Sequence, residues 1–278
     1  MRPFLLFFIL LCCNNLFSQS LPFNSNNIPA DSIILKIAYG RVDKSKNTYS
    51  HKLKKEEVNY SPGQKITYKI VFKSPVVLQG QFFLLVVTEA PNSSLDEEQF
   101  GYRDILFFQQ TTKGHLQLIK SIIAADEMPI GDEYLWNEGN DNNDESLFSI
   151  VDIGKNKKAL ISTFTTSGNQ HIEDTKNIEL LELGKLTFLC TIRYRYDNAA
   201  YVAQDDSVCV AEKSSSDFDI IKSDKEWFDI KVHFTAYGYK KGCAETFIKK
   251  KSVTLYSYKN GDYVDTKGQN IDETLQTN

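Results

Sequence analysis

The stretch LFSIVDIGKNKKALISTF, residues 147–164, decides the fold. From Phe148 to Ile153 the side chains alternate, with Phe148, Ile150 and Asp152 on one side and Ser149, Val151 and Ile153 on the other. Apolar residues on both sides suit a strand that is buried near its middle. The run Gly154-Lys155-Asn156-Lys157-Lys158 then supplies a polar reversal, because Gly and Asn tolerate positive φ and the lysines stay hydrated. Residues 159–164 resume an apolar run in which β-branched Ile161 and Thr163 favour a pleated strand over a helix. The economical reading is a hairpin, and the same shape recurs on both sides of it.

Upstream, Ile66, Tyr68, Ile70 and Phe72 alternate with Thr67, Lys69, Val71 and Lys73, the pattern of a half-exposed strand. Residues 76–78 and 82–88 form the most hydrophobic segment. Its QFFLLVVTEA run does not alternate, and its length and the Val86-Val87 pair predict a central strand covered on both faces. Residues 102–110, the turn Thr111-Thr112-Lys113-Gly114 and residues 115–123 make another strand–turn–strand.

Downstream, residues 178–183, the turn Gly184-Lys185 and residues 186–196 repeat the motif. Phe188, Cys190, Ile192, Tyr194 and Tyr196 are expected on one face, with Arg193 and Arg195 on the other. Residues 197–216 read as an irregular polar stretch. Residues 227–235 place Phe228, Ile230, Val232 and Phe234 on one face, and Asn260-Gly261 is the strongest two-residue hairpin turn in the chain. Residues 33–39 predict a first strand, and no amphipathic helix of twelve or more residues is evident. The class is mostly β, built of repeated antiparallel hairpins.

The chain opens Met1-Arg2-Pro3 and runs apolar from Phe4 to Cys13, then polar through Asn14 and Asn15 to Ser18. This is the pattern of a secretory signal peptide over residues 1–19, cleaved after Ser18 or Gln19. The apolar core is too short to span a bilayer, which needs about 20 residues, and no other stretch is long enough. Lipid attachment at Cys12 or Cys13 is disfavoured by bulky Leu10 and Leu11 before them. The predicted location is therefore secreted or periplasmic. A β segment over 20–92 follows a leader at 20–31, then a main β domain over 93–267 and a frayed tail over 268–278. A net charge of −4 and a pI near 5.7 argue against a nucleic-acid binder, which would show a basic face. Export permits disulfides. Cys190, Cys209 and Cys243 remain after processing, so at most one bridge forms within the chain. Cys190–Cys209 is the first pair to test, against the alternative of three small buried apolar side chains.

Three segments each place an Asp-Ile pair in an apolar strand: Asp104-Ile105, Asp152-Ile153 and Asp229-Ile230. Short strands recurring between turns suggest an irregular β-propeller, with a two-sheet β-sandwich preceded by a small β domain as the competitor. The segment around Asp152 resembles a degenerate FG-GAP-type repeat, the blade unit of integrin-α-like propellers. That family holds calcium in a D-x-[DN]-x-D-G loop, of which Asp152 and Asn156 occupy matching positions. Gly154 and Lys157 depart from the pattern and put metal binding there in doubt.

The most metal-like stretch is residues 131–146, where Asp141, Asn143 and Glu145 have the alternating oxygen-ligand spacing of a calcium loop. It lacks the glycine and terminal glutamate of an EF-hand, and a solvated acidic loop is the competing reading. No other cofactor is implied. Catalytic motifs are missing: none of the four histidines lies in HExxH, and no GxSxG occurs. Asp229 and His233 share a strand face about 13 Å apart, too far for a direct bond. Asp205, Asp206, Asp217 and Asp219 could supply a carboxylate pair for a secreted hydrolase. Trp136, Tyr194, Tyr196, Tyr201, Tyr237 and Tyr239 could form a platform for a protein or glycan, or serve as cross-strand packing. The leading expectation is an exported, non-catalytic binding protein acting through its loops on a protein, glycan or envelope partner. The hydrolase is the alternative.

Overall fold

The structure is a computed structural model, and it describes residues 23, 28–40, 43, 48–52, 65–91, 100–123, 128–129, 147–168, 171–198, 212–240 and 245–271. It is mostly β, in two antiparallel sheets, one of them a curled half-barrel. The chain divides into one unit of residues 1–89 with 104–123 and another of residues 90–103 with 124–278. Residues 104–123 pair back into the first sheet.

The first sheet runs β1 (Tyr49–Lys52), β2 (Lys65–Leu78), β3 (Gln81–Pro91), β4 (Phe100–Gln110), β5 (Leu116–Ile123), with the two-residue β6 (Met128–Pro129) beside β4. β3 is buried on both faces from Phe83 to Ala90, as its unbroken apolar run requires. Residues 76–78 extend the alternating strand at 65–73 into one long β2, which turns at Gln79-Gly80 with φ of 51° and 76°.

Residues 31–39 are a helix, α1 (Asp31–Tyr39), and not the strand expected at 33–39. The cause is tertiary. Ile34 and Leu35 are fully buried, and Ile34, Ala38 and Tyr39 pack with Leu84, Val86, Leu106 and Phe108 on one face of the sheet. With Leu35, their three- and four-residue spacing forms a single stripe, and its burial outweighs the weak β preference of three isoleucines. Asp31 sits in the first turn, where the helix dipole favours it. Gly40 ends the helix at φ 83°, its N–H donating to Lys36 O at 2.9 Å. Phe23, in the expected leader, is buried in the same cluster.

The second sheet is a meander of β7 (Phe148–Gly154), β8 (Lys157–Gly168), β9 (His171–Glu182), β10 (Lys185–Asp197), β11 (Lys213–Ile221), β12 (Asp229–Lys240), β13 (Glu245–Lys259) and β14 (Asp262–Val264). The β7–β8 turn is only Lys155-Asn156, with Asn156 at φ 58°, and Gly154 pairs with Lys157. The β13–β14 turn is Asn260-Gly261, with both residues at positive φ. Phe228, Ile230, Val232 and Phe234 are all buried, and the last three share a core with Ile153, Ile161, Ile178 and Ile192.

Two expectations fail in this sheet. Residues 213–221 form β11, although KSSSDFDII reads as polar, because cross-strand pairing with β12 at nine positions outweighs its poor propensity. In β10 the register shifts between Phe188 and Cys190 and again between Arg193 and Arg195. Each extra residue exchanges the faces. Phe188 is therefore 53% exposed while Leu189, Cys190 and Ile192 are buried. Beyond β14, Asn270 bridges Val264 and Ile271 is fully buried.

Candidate functional site

The curl of the second sheet creates its chief feature. The C-terminal end of β7 meets the connection between β11 and β12: Gly154 bridges Trp227, Phe228 N donates to Ile153 O at 2.9 Å, and Lys155 N donates to Glu226 O at 3.0 Å. Gly154 is required here, since a Cβ would stand 2.2 Å from Glu226 O. Lys157 pairs with Glu226 at 3.2 Å and lies 4.7 Å from the ring of Trp227, which stacks on Tyr258 at 3.8 Å. The second and third Asp-Ile segments of the sequence are thus the two lips of one seam.

Beside the seam lies an open cleft of about 720 Å³. One wall is Ser149, Ile150, Val151 and Asp152 of β7; the other is Asp217, Phe218, Asp219 and Ile220 of β11. Ile161, Thr163 and Lys176 of β8 and β9 line it as well. A strand seen face-on offers alternate residues, so four consecutive residues on each wall mean that both strands present their edges. The pairing agrees. β7 is the last strand of its sheet, and β11 pairs with β10 only from Lys213 to Ser215 before the two diverge.

Charge around the cleft is largely arranged in pairs. Asp152 accepts a 2.5 Å bond from Lys158 and lies 3.6 Å from Lys222. The Lys158 bond holds its carboxyl below the usual carboxylate range, against the opposing effect of burial. Asp219 meets His233 Nε2 at 3.2 Å. His233 therefore faces an aspartate on the neighbouring strand and not Asp229, which is bound by Lys225 Nζ at 2.6 Å. The Lys176 ammonium stands 4.7 Å from the Tyr194 ring. On the alternate positions of β9, burial pushes the Glu179 carboxyl up, with Arg103 opposing.

The sequence-predicted residues are dispersed. Tyr194 and Tyr196 lie on β10, and Tyr237 and Tyr239 on β12, so these four stand on strands and not loops. Tyr196 takes the Arg193 guanidinium at 4.9 Å, Tyr237 OH lies 3.3 Å from Ser215 Oγ, and Tyr239 OH donates to Asp197 at 2.9 Å. Burial, reinforced by Asp197, pushes the Tyr239 hydroxyl up to about 12. Trp136, Tyr201, the calcium candidates Asp141, Asn143 and Glu145, the pair Asp205-Asp206, Cys209, Cys243 and the signal segment 1–19 all lie outside the described residues. Among the described residues no cluster of three metal-ligating side chains occurs, and no helix is long and apolar enough to cross a membrane. Of the cleft, the sequence singled out Asp152, Asp217 and Asp219; Lys176 and Phe218 carried no signal of their own, and Gly154 signalled a turn and not the close approach at the seam.

A second buried polar cluster belongs to the first unit. Tyr39 OH donates to Asp104 Oδ2 and touches Thr88 Oγ1, both at 2.7 Å, while its ring stacks on Tyr49 and Tyr68. Burial, then Asp104, pushes the hydroxyl far above its usual range. This contact fastens the end of α1 to β3 and β4.

Fold and site together define an antiparallel β protein whose larger sheet curls around an edge-walled cleft. No known family model matches the chain, and neither a curated protein nor a solved structure matches it.

Proposed function

We propose that the chain is an exported, non-catalytic β protein that holds a partner in the cleft of its curled sheet. Export rests on the signal pattern of residues 1–19. The observation that carries the binding role is the cleft itself, with apolar Val151, Ile161, Phe218 and Ile220 beside a few placed charges. Mostly apolar concave sites with a small number of polar groups are the usual form of a ligand site.

The hydrolase reading has one observation in its favour, the three carboxylates Asp152, Asp217 and Asp219 around one cleft. Carboxylate-pair hydrolysis requires one acid kept protonated. Lys158 and Lys222 keep Asp152 ionised, and Glu179, whose carboxyl is raised, belongs to the strand positions alternating with Lys176. The binding reading is therefore the better supported. For the architecture we take a sandwich-like curl over a propeller, because the strands from β7 to β14 are successive neighbours in one sheet whereas propeller blades are separate sheets. Calcium at Asp141, Asn143 and Glu145 stays a proposal on spacing alone.

Thermal-shift screening of the full chain and of a cleft-filling Thr163→Trp variant against peptides, oligosaccharides and amphiphiles tests the function. A class that stabilises the parent and not the variant supports it. No difference between the two for any class, or turnover abolished by Asp217→Asn or Asp219→Asn, overturns it.

A further inference from the structure

The cleft differs from an ordinary pocket in what its walls are made of. Beyond Ser215, β11 runs on to Ile221 with full pairing to β12 on one side and no pairing to β10 on the other. Across the cleft, residues 149–152 of β7 pair with β8 alone among the described residues. Two strand edges thus border one space, with backbone N–H and C=O groups directed into it at alternate residues; on β11 the Phe218 N–H donates to Asp217 Oδ1 at 2.8 Å, a bond that an added strand has to displace. Ser216 Oγ, where β11 leaves β10, is buried and finds no hydrogen-bond partner among the described residues.

From these features we infer that the cleft binds an extended peptide, which adds to the β11 edge as an extra strand. This rests on the proposed binding role and names its ligand class. Main-chain hydrogen bonds supply affinity in such augmentation, and alternate side chains supply selectivity. The selectivity can be read from β11. Phe218 and Ile220 pack toward the core, while Asp217 and Asp219 are exposed on the opposite side. An added strand repeats that alternation, so it carries apolar residues over Ile161 and Phe218 and basic residues beside the two aspartates. Lys176 lines the cleft and disfavours a basic residue at the inward positions, which fixes the register. The occupant is a peptide of alternating apolar and Lys/Arg residues.

The probe is a fluorescein-labelled, acetylated heptapeptide of alternating lysine and valine, read by anisotropy on the full chain. N-methylation of every second amide, leaving the side chains intact, should weaken binding by about tenfold or more, since a few main-chain bonds are removed. Replacing lysine by glutamate should weaken it similarly, as should Asp217→Asn with Asp219→Asn in the protein. Bound peptide should slow amide hydrogen exchange at residues 216–221. Equal binding of the methylated peptide, equal binding of the glutamate peptide, or protection confined to other strands overturns the inference. If no peptide binds but an oligosaccharide or amphiphile stabilises the parent and not Thr163→Trp, the peptide inference falls and the cleft's binding role stands. If nothing binds, both fall.

Discussion

Gly154→Ala tests the reasoning behind the curl. Gly154 is absent from the positive-φ positions, so alanine is acceptable to the backbone and the effect is steric. The new methyl would stand 2.2 Å from Glu226 O and 3.2 Å from Glu226 C, both backbone atoms that no side-chain rotation can relieve. The lips must part by about 1 Å to reach ordinary contact. Parting loosens the Phe228 N–Ile153 O and Lys155 N–Glu226 O bonds and the Lys157–Glu226 ion pair. Two backbone bonds at about 1 kcal/mol each set the scale. The exposed ion pair adds little. Against this, replacing glycine stiffens the unfolded chain and stabilises by about 0.4–1 kcal/mol where no clash occurs. The net expectation is a loss of about 1–2 kcal/mol. Urea unfolding followed by Trp227 emission, in a Trp136→Phe background, reads it directly because the only other tryptophan is removed. A midpoint unchanged or raised would mean that the seam yields without cost, and the account of how the sheet is closed would be refuted.

Ile230→Ala removes a fully buried side chain from the core of the second sheet and should cost about 2–5 kcal/mol by chemical denaturation; a loss below about 1 kcal/mol would contradict the assigned core. Tyr39→Phe takes a donor from buried Asp104 and should cost about 1–3 kcal/mol, with faster amide exchange in α1 as the local signature. The Tyr239 hydroxyl is raised in the folded state, so its contribution is complete below about pH 10 and is lost as pH rises toward about 12. Stability of the parent should fall across that window more steeply than that of Tyr239→Phe; parallel profiles would remove the Asp197 contact from consideration. Asp152 has the opposite sign. Its lowered carboxyl stabilises the fold at neutral pH and loses that contribution as acid protonates it, so Lys158→Met should flatten the acid limb of the stability profile.

The hairpins were legible in the sequence because their signals are local. Asn156 and Asn260-Gly261 fix two turns through positive φ, and the alternation of residues 228–234 fixes which side of β12 is buried. β3 was legible as a doubly covered strand because it has no polar side to expose. Three features were not local and could not be read. Residues 33–39 became a helix because a stripe of side chains found a sheet to cover. Lys213 to Ile221 became a strand because β12 offered it a complete ladder. Phe188 moved to the exposed side because a bulge at Leu189 shifted the register.

The candidate site divides the same way. Asp152, Asp217 and Asp219 were visible as residues, but residues more than sixty positions apart border one cleft only because the sheet curls. Sequence by itself determined that this chain folds as antiparallel strands with tight turns, since turn chemistry and two-residue periodicity are properties of neighbours. Tertiary structure alone decided that two strand edges face each other, since an edge exists only where a partner strand diverges or ends.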